Sequence, residues 1–411
     1  MRSSRVSFVL LLIAAVTVAI ATGCSPTPLL VWTNIPEAAP IVEQYNLVSD
    51  KPTLLHYEED LARALRLSDT PPDLVIGSGI EDESSARLFV PIGHMLDRKL
   101  DRDAFYEPLL DNGVRGDRQL LLPVSFNLPL VYFASDSPVA GGRPLLTLEE
   151  MEAQTEAFAV WSGERPHNLS YSPRWEGPFA YQFTRASGVS FEEDESGSPT
   201  WDSQRLASAI EAAQEWIEAQ SGDAATDVAF ENRYLYAPQM QLVREGRVGF
   251  GYDESNAFFV TSDRRTAGLD FKWLTDGEHI RVLESVVYAG IPAGARSRRG
   301  SERFLEWFFQ VNHQVSVIED AVQKQAGQFG IAGGFSALWR VNERFLPELY
   351  PRLSGKIPAA DYLEFPGPAP RHWAELIENV VEPWLIRELS GREQSRDLES
   401  SVRAWLLQQE E

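Results

Sequence analysis

An α/β architecture of mostly parallel sheets, divided into more than one domain, is predicted by three features of this sequence. Short apolar runs alternate with segments of helical period along most of the chain. Its 411 residues are enough for two or three domains at roughly 150 residues each. A composition of 44% hydrophobic and 11% aromatic residues is that of a chain with real cores, not of a disordered acidic one.

Leu29–Trp32 reads as a short buried strand that breaks at Asn34-Ile35-Pro36, with a helix following to about Tyr45. Thr53–Tyr57 is a second strand. Glu58–Leu67 is helical, because Leu61, Ala64 and Leu65 share a face, and Pro71-Pro72 ends it. Asp73–Ile76 is a third apolar run, stopped by Gly77-Ser78-Gly79. Ligands in parallel sheets sit outside the carboxyl ends of the strands, so the loops after Trp32 and Ile76 are the first places to look. Leu120–Val124 and Leu130–Phe133 flank Ser125–Pro129. Thr147 opens a helix with capping-box spacing to Glu150. The acid-rich stretch Phe191–Thr200 is a solvated hairpin or loop without the alternating ligands of a calcium loop. Ser203–Gln220 is a longer helix, with Leu206, Ile210, Ala213 and Ile217 at helical spacing. Val248–Tyr252, Phe271–Leu274 and Ser285–Ile291 are further strands, and Ser301–Val317 is a helix. Four prolines from Pro358 to Pro370 mark an irregular stretch before helices near 373–389 and 397–409.

The net charge is −23. Gripping nucleic acid needs basic stripes, and so does an electrostatic hold on anionic lipid; the acidity excludes a nucleic-acid partner and argues against that hold. One Cys permits neither an internal disulfide nor a multi-thiolate metal site. Its position gives it another use. Arg2 and Arg5 precede an apolar run, Val6–Ile20, that is about 22 Å long as a helix, short of the ~30 Å hydrocarbon core. This is the pattern of a secretory signal. The run ends Ala21-Thr22-Gly23-Cys24, which resembles a bacterial lipobox, departing from it at Ala21, where that motif more often has Leu. Residues 1–23 are then a lipoprotein signal peptide, Cys24 the lipidated residue, and 24–28 a tether. An ordinary signal peptide followed by a chance Cys is the alternative. The mature chain would carry −25, since two arginines leave with the signal.

Several stretches, in order, resemble the extracellular solute-binding proteins of bacterial ABC importers, in the large carbohydrate-binding family that includes maltose-binding protein. They are Pro72-Asp73-Leu74-Val75-Ile76, Leu122-Pro123-Val124-Ser125 through Leu130-Val131-Tyr132-Phe133, and Pro144 to Met151. Arg244 to Phe250, and Ala289 to Ala295 followed by Glu302 to Phe309, continue the series. Gly333-Gly334-Phe335-Ser336 departs from the family pattern, which has proline there, and Ala134 stands near a missing Asn. The resemblance implies a two-lobed periplasmic-binding-protein-like fold joined by hinge strands, with one lobe at 29–134 plus 270–312 and the other at 135–269 plus 313–411. It implies a monomer that binds a small solute, a sugar or oligosaccharide, between its lobes and delivers it to a membrane permease. Tethered by its lipid, the chain would face the periplasm or cell exterior.

A sugar site needs flat aromatic faces and side chains that donate and accept hydrogen bonds. Eleven Trp and twelve Tyr make such faces available. Strand-end and loop positions give the candidates Trp32, Asn34, Ser78, Asn127, Trp175, Glu176, Tyr252, Asp253 and Tyr288. A core role beneath a loop is the alternative for Trp32, and capping of the next turn is the alternative for Asp253. Trp216, Trp307, Trp384 and Trp405 lie on helix faces and read as core. No cofactor, metal or catalytic residue is expected. No two of the six histidines have the i, i+4 spacing of a helical zinc pair, and there is no nucleophile elbow, Walker loop or complete dinucleotide fingerprint. The alternatives are a receptor for peptide, polyamine or ferric ion, the last hinted at by Tyr234-Leu235-Tyr236, and a surface glycoside hydrolase, which needs only two suitably spaced carboxylates. Substitution Cys24→Ser is expected to move the protein from the membrane fraction to the soluble exported fraction; an unchanged distribution on fractionation would refute the lipid anchor.

Overall fold

The computed structural model describes residues 27–82, 84, 87–194, 198–367, 370–391 and 396–409. The signal segment 1–23, Cys24 and the first part of the tether lie outside the described residues. Ten strands build the two main sheets: β1 (Leu29–Thr33), β2 (Thr53–Tyr57), β3 (Leu74–Gly77), β4 (Leu121–Phe126), β5 (Pro129–Ala134), β6 (Leu145–Thr147), β7 (Phe250–Glu254), β8 (Leu269–Thr275), β9 (Val287–Gly290) and β10 (Phe335–Ser336). One sheet has the order β10-β4-β9-β3-β1-β2 and the other β7-β5-β8-β6. Each is the centre of one lobe, so the α/β, two-lobed class read from the sequence is the observed one.

Within the two main sheets, parallel pairing is confined to β2-β1-β3, where Val31 faces Leu74, and to β8 with β6. β9 pairs antiparallel with β3 and β4, and β5 pairs antiparallel with β7 and β8. The sheets are therefore more mixed than the sequence predicts. Parallel pairs require a crossover helix; strands that enter from the opposite lobe need none and run against their neighbours.

The sheets cut the chain at other points than the sequence-read boundaries. Residues 129–134, assigned by sequence to the first lobe, and 270–275 form β5 and most of β8 in the second sheet. Helix Val311–Gln323, assigned beyond residue 312 to the second lobe, packs on helix Ala39–Val48 of the first, and β10 completes the first sheet. The reason is that the two apolar runs on either side of Ser125–Pro129 carry no local mark of which lobe each enters, whereas Asn127-Leu128 separates strands of different lobes.

Local signals account for most helix ends. Thr147 and Glu150 form the reciprocal capping box, with Glu150 N–H donating to Thr147 Oγ1 (3.1 Å) and Thr147 N–H to Glu150 Oε2 (2.9 Å). Phe191–Glu193 and Pro199–Trp201 form the expected hairpin. The single helix expected at 301–317 is two, Arg298–Phe308 and Val311–Gln323, broken at Phe309-Gln310. Near the C-terminus, helix Trp373–Leu376 widens into a π-helical turn at Ile377–Val381 before Glu382–Leu389, so Pro383 sits in a first turn, where its missing N–H costs nothing. Among the described residues no helix is long and apolar enough to cross a membrane.

The second lobe holds one ion pair out of water. Arg174 Nε donates to Asp227 Oδ1 at 2.5 Å and its Nη2 to Glu231 Oε2 at 2.6 Å, with Arg174 3% and Asp227 0% exposed. Trp175 Nε1 donates to the same Asp227 oxygen (3.1 Å) and its ring stacks on Phe230 at 5.6 Å. These contacts fix the loop that leads into helix Gly177–Ala186. Asp227→Ala leaves a buried guanidinium with half its partners, and is expected to cost about 3 kcal/mol or more of unfolding free energy in urea; a loss below about 1 kcal/mol would show that Glu231 alone suffices.

Candidate ligand cleft between the lobes

A cavity of about 280 Å³ lies between the two lobes. Small-molecule sites start near ~300 Å³. Its first wall is formed by the carboxyl ends of β1, β2 and β3: Asn34 after β1, Glu59 and Asp60 after β2, and Ser78 and Gly79 after β3. Glu81 and Asp82 extend this wall. The second wall carries Pro178, Tyr181 and Gln182 from helix Gly177–Ala186, and Glu254 at the end of β7. Leu283, Glu284 and Ser285, on the passage to β9, close the back. Residues of the segment Pro370–Glu382 close the remaining side.

Asn34 and Ser78 are the sequence candidates that the structure places in this cleft. Asn34 Nδ2 donates to Ser78 O and Asn34 Oδ1 accepts from Ser78 N–H, both at 3.1 Å, so the side chain ties the two strand-end loops together. Gly77 is required by this tie: a Cβ there would fall 2.3 Å from Asn34 Oδ1.

Seven other candidates do not line the cleft, and each has a structural occupation. Trp32 lies on the sheet face against His56 of β2, 5.7 Å between ring centroids. Tyr288 is 1% exposed within the first sheet. Trp175 is held in the core as described above. Asn127 is 6% exposed; its Nδ2 donates to Gly333 O (3.0 Å) and its Oδ1 accepts from Ser255 Oγ (2.7 Å). Tyr252 is 4% exposed and packs edge-on to Phe179. Asp253 points to the face of β7 opposite Tyr252 and Glu254, as strand alternation requires, and accepts from Glu254 N–H. Glu176 precedes the helix as its N-cap residue and lies behind the wall. The tyrosines read as a hint of an iron site also lie elsewhere: Tyr234 is covered by the Arg247 guanidinium at 4.4 Å and Tyr236 is 85% exposed.

Sequence reasoning missed Glu254, Glu284, Tyr181 and the C-terminal acids Glu378 and Glu382. Glu254 stood one residue from a named candidate. Glu378 and Glu382 share the i, i+4 spacing of one helical face, but nothing local says that this face meets the cleft.

The electrostatics are one-sided. Burial pushes the Glu254 carboxyl up to about 7, and the charges of Asp253 and Glu284 push the same way. Burial lifts Glu382 to about 7, helped by Glu254 and Glu378. Burial also raises Glu81 and Glu176 to about 7 and Asp253 to about 6. Glu284 is compensated: Tyr181 Oη donates to it at 2.6 Å and Arg185 Nε lies at 3.2 Å. His372, with a left-handed backbone (φ 57°), turns the chain into the wall and faces Glu375 at 3.2 Å. Arg66 and Arg371 stand on the rim of the first wall, near Asp60 and Asp82.

An acid raised from 4.5 to about 7 keeps its proton in the native state over a range where the unfolded chain has lost it. The native state then binds more protons, so its stability falls as pH rises through that window. Glu150, Asp223, Asp320 and Asp397 shift the opposite way; the share of the cleft is therefore read by difference. The thermal midpoint of the ligand-free protein is expected to drop from about pH 5 to about pH 8 more steeply in wild type than in the Glu254→Gln/Glu382→Gln variant. Equal slopes would show that these carboxyls are already ionised at low pH.

No family model matches the chain, and no curated relative does. Solved structures do. Two are described as "CpMnBP1 with Mannotriose Bound" and "CpMnBP1 with Mannobiose Bound". They superpose with TM-scores of 0.59 and 0.60 at 13% identity, each over 92% of this chain and 98% of the other. At that identity the likeness is one of fold, and the chain has the two-lobed α/β fold of these proteins.

Proposed function

We propose that the protein is a lipid-anchored substrate-binding protein that captures a saccharide in the interlobe cleft and passes it to an ABC importer. The observation that carries this reading is the cleft itself: it stands at the carboxyl ends of β1–β3 and is walled by both lobes. The fold is shared with proteins solved with mannobiose and mannotriose bound. Ligand touching both walls stabilises the closed arrangement by contacts that the open one cannot make. The permease then reads closure. Cys24 holds the protein at the membrane, facing the periplasm or cell exterior, as a monomer.

The carboxyls also speak to the hydrolase alternative. A glycosidase needs one carboxyl kept protonated and a partner kept ionised. Glu254 and Glu382 are both raised to about 7, so this pair by itself does not offer that division of roles. A thermal-shift panel of mannobiose, mannotriose, maltose, a tripeptide, spermidine and ferric citrate tests the reading. A saccharide present at a hundred times its Kd should add about 2.7 kcal/mol of stability. Hydrolysis of a glycoside without stable binding, or a shift with the tripeptide or ferric citrate alone, would overturn it.

A further inference from the structure

We propose that the cleft selects a saccharide carrying a basic nitrogen, an amino sugar, whose ammonium group is held between Glu254 and Glu382 on the second wall. The inference rests on the reading of the cleft as the ligand site and narrows its substrate class.

Three independent features of the wall converge on this ligand. The first is the balance of charge. Glu254 ends β7, Glu382 opens helix Glu382–Leu389, and Glu378 stands one turn before it. The side-chain charges acting most strongly on Glu254 are those of Asp253 and Glu284, and on Glu382 those of Glu254 and Glu378; all are acidic. The cation nearest this wall, Arg185, is occupied: its Nε faces Glu284 Oε1 at 3.2 Å and its Nη1 donates to Val282 O at 3.2 Å. Arg66 stands on the first wall near Asp60 and Asp82, with Arg371 beside it. Carboxylates removed from water require a counter-charge or a proton. A ligand ammonium supplies the charge and donates to both.

A second feature is a buried acceptor without a partner. Tyr252 lies two residues before Glu254, on the same face of β7, and is 4% exposed. Its hydroxyl has no hydrogen-bond partner among the described residues and stands in the field of Glu254, Glu176 and Glu382. A primary ammonium has three N–H groups to place; Glu254 and Glu382 on the cleft lining offer it acceptors, and the Tyr252 hydroxyl, buried behind Glu254, leaves that carboxyl without a protein donor from its own strand face.

The third feature is what the cleft does not offer a neutral sugar. Its aromatic residues, Tyr181 and Trp373, are 2% and 4% exposed, so neither presents an open face for stacking. The Tyr181 hydroxyl is spent on Glu284, and both polar atoms of the Asn34 amide are spent on Ser78. Stacking on an aromatic platform is thus closed and the Asn34 amide is partly committed, while the carboxylates of Glu254 and Glu382 stand on the lining.

Titration calorimetry near neutral pH tests the proposal, with β-1,4-linked diglucosamine, its di-N-acetylated form, mannobiose and spermidine as probes. Diglucosamine is expected to bind at least tenfold more tightly than the acetylated form or mannobiose. Its binding should release protons, seen as a heat that changes with the ionisation enthalpy of the buffer, because an ammonium group displaces the proton shared by the two carboxyls; mannobiose should release none. In Glu254→Gln and Glu382→Gln, each checked for native circular dichroism, the ratio of the two affinities should collapse toward one. Mannobiose or the acetylated sugar binding as tightly as diglucosamine in the wild type would overturn amine selection and leave the saccharide reading standing. A wild-type preference that survives in both variants would also overturn it. Spermidine binding with no saccharide of either kind would remove the saccharide reading and this proposal together.

Discussion

Asn127 is a hydrogen-bonded node at the junction of the two lobes. It stands where β4 leaves the first sheet and β5 enters the second. Its Nδ2 donates to Gly333 O on the passage to β10, and its Oδ1 accepts from Ser255 Oγ after β7. Its own carbonyl accepts from Leu283 N–H on the passage to β9, and the next residue, Leu128, donates its N–H to Ser255 Oγ. The β4–β5 and β8–β9 passages, the turn after β7 and the turn before β10 thus meet at this side chain or its immediate neighbour. Gly334 must lack a Cβ for the meeting to occur, since one would fall 2.6 Å from Phe126 O. The cleft has its shape because the walls are referred to this common point, while single-stranded passages on either side leave the lobes free to rotate about it.

The same node explains what could be read in the sequence and what could not. Features set by near neighbours were legible: the strand Asp73–Ile76 closed by Gly77, the capping box at Thr147, the hairpin at 191–201, and the loops after β1 and β3 as parts of the cleft wall. Asn34 and Ser78 followed from that last rule and do stand in the cleft. Asn127 was singled out as polar and near a strand end, which is correct, but a polar side chain at a crossing can serve the hinge as readily as the ligand. The sequence does not distinguish these uses, because the partners that consume its amide lie 128 and 206 residues away.

The second wall shows a different limit. Tyr252 and Asp253 were chosen at the end of a strand whose next residue, Glu254, is the one that lines the cleft. Strand side chains alternate, so an error of one residue exchanges the buried face for the opposite one. Trp175 and Glu176 were likewise close to Pro178 and Tyr181, and were withdrawn into the core by the Arg174–Asp227 pair. The C-terminal acids had no local signal at all. The helix expected over about 373–389 is interrupted by the π-helical turn Ile377–Val381, and this turn brings Glu378 and Glu382 to the cleft.

Acids on both walls give the cleft a mechanical consequence. Glu81 and Asp82 stand on the first wall, each 5% exposed, and Glu254 and Glu382 on the second. Bringing the walls together without ligand moves like charges closer and removes water from them, and both effects disfavour the charged state. Burial already raises Glu81, Glu254 and Glu382 toward neutrality. A ligand able to donate hydrogen bonds or positive charge to both walls removes that penalty at the moment it bridges them. Differential stabilisation of this kind is what allows a ligand to shift the population of a hinged protein at all. The acidity first visible as a net charge of −23 is therefore concentrated, at this one place, where it opposes closure of an empty cleft.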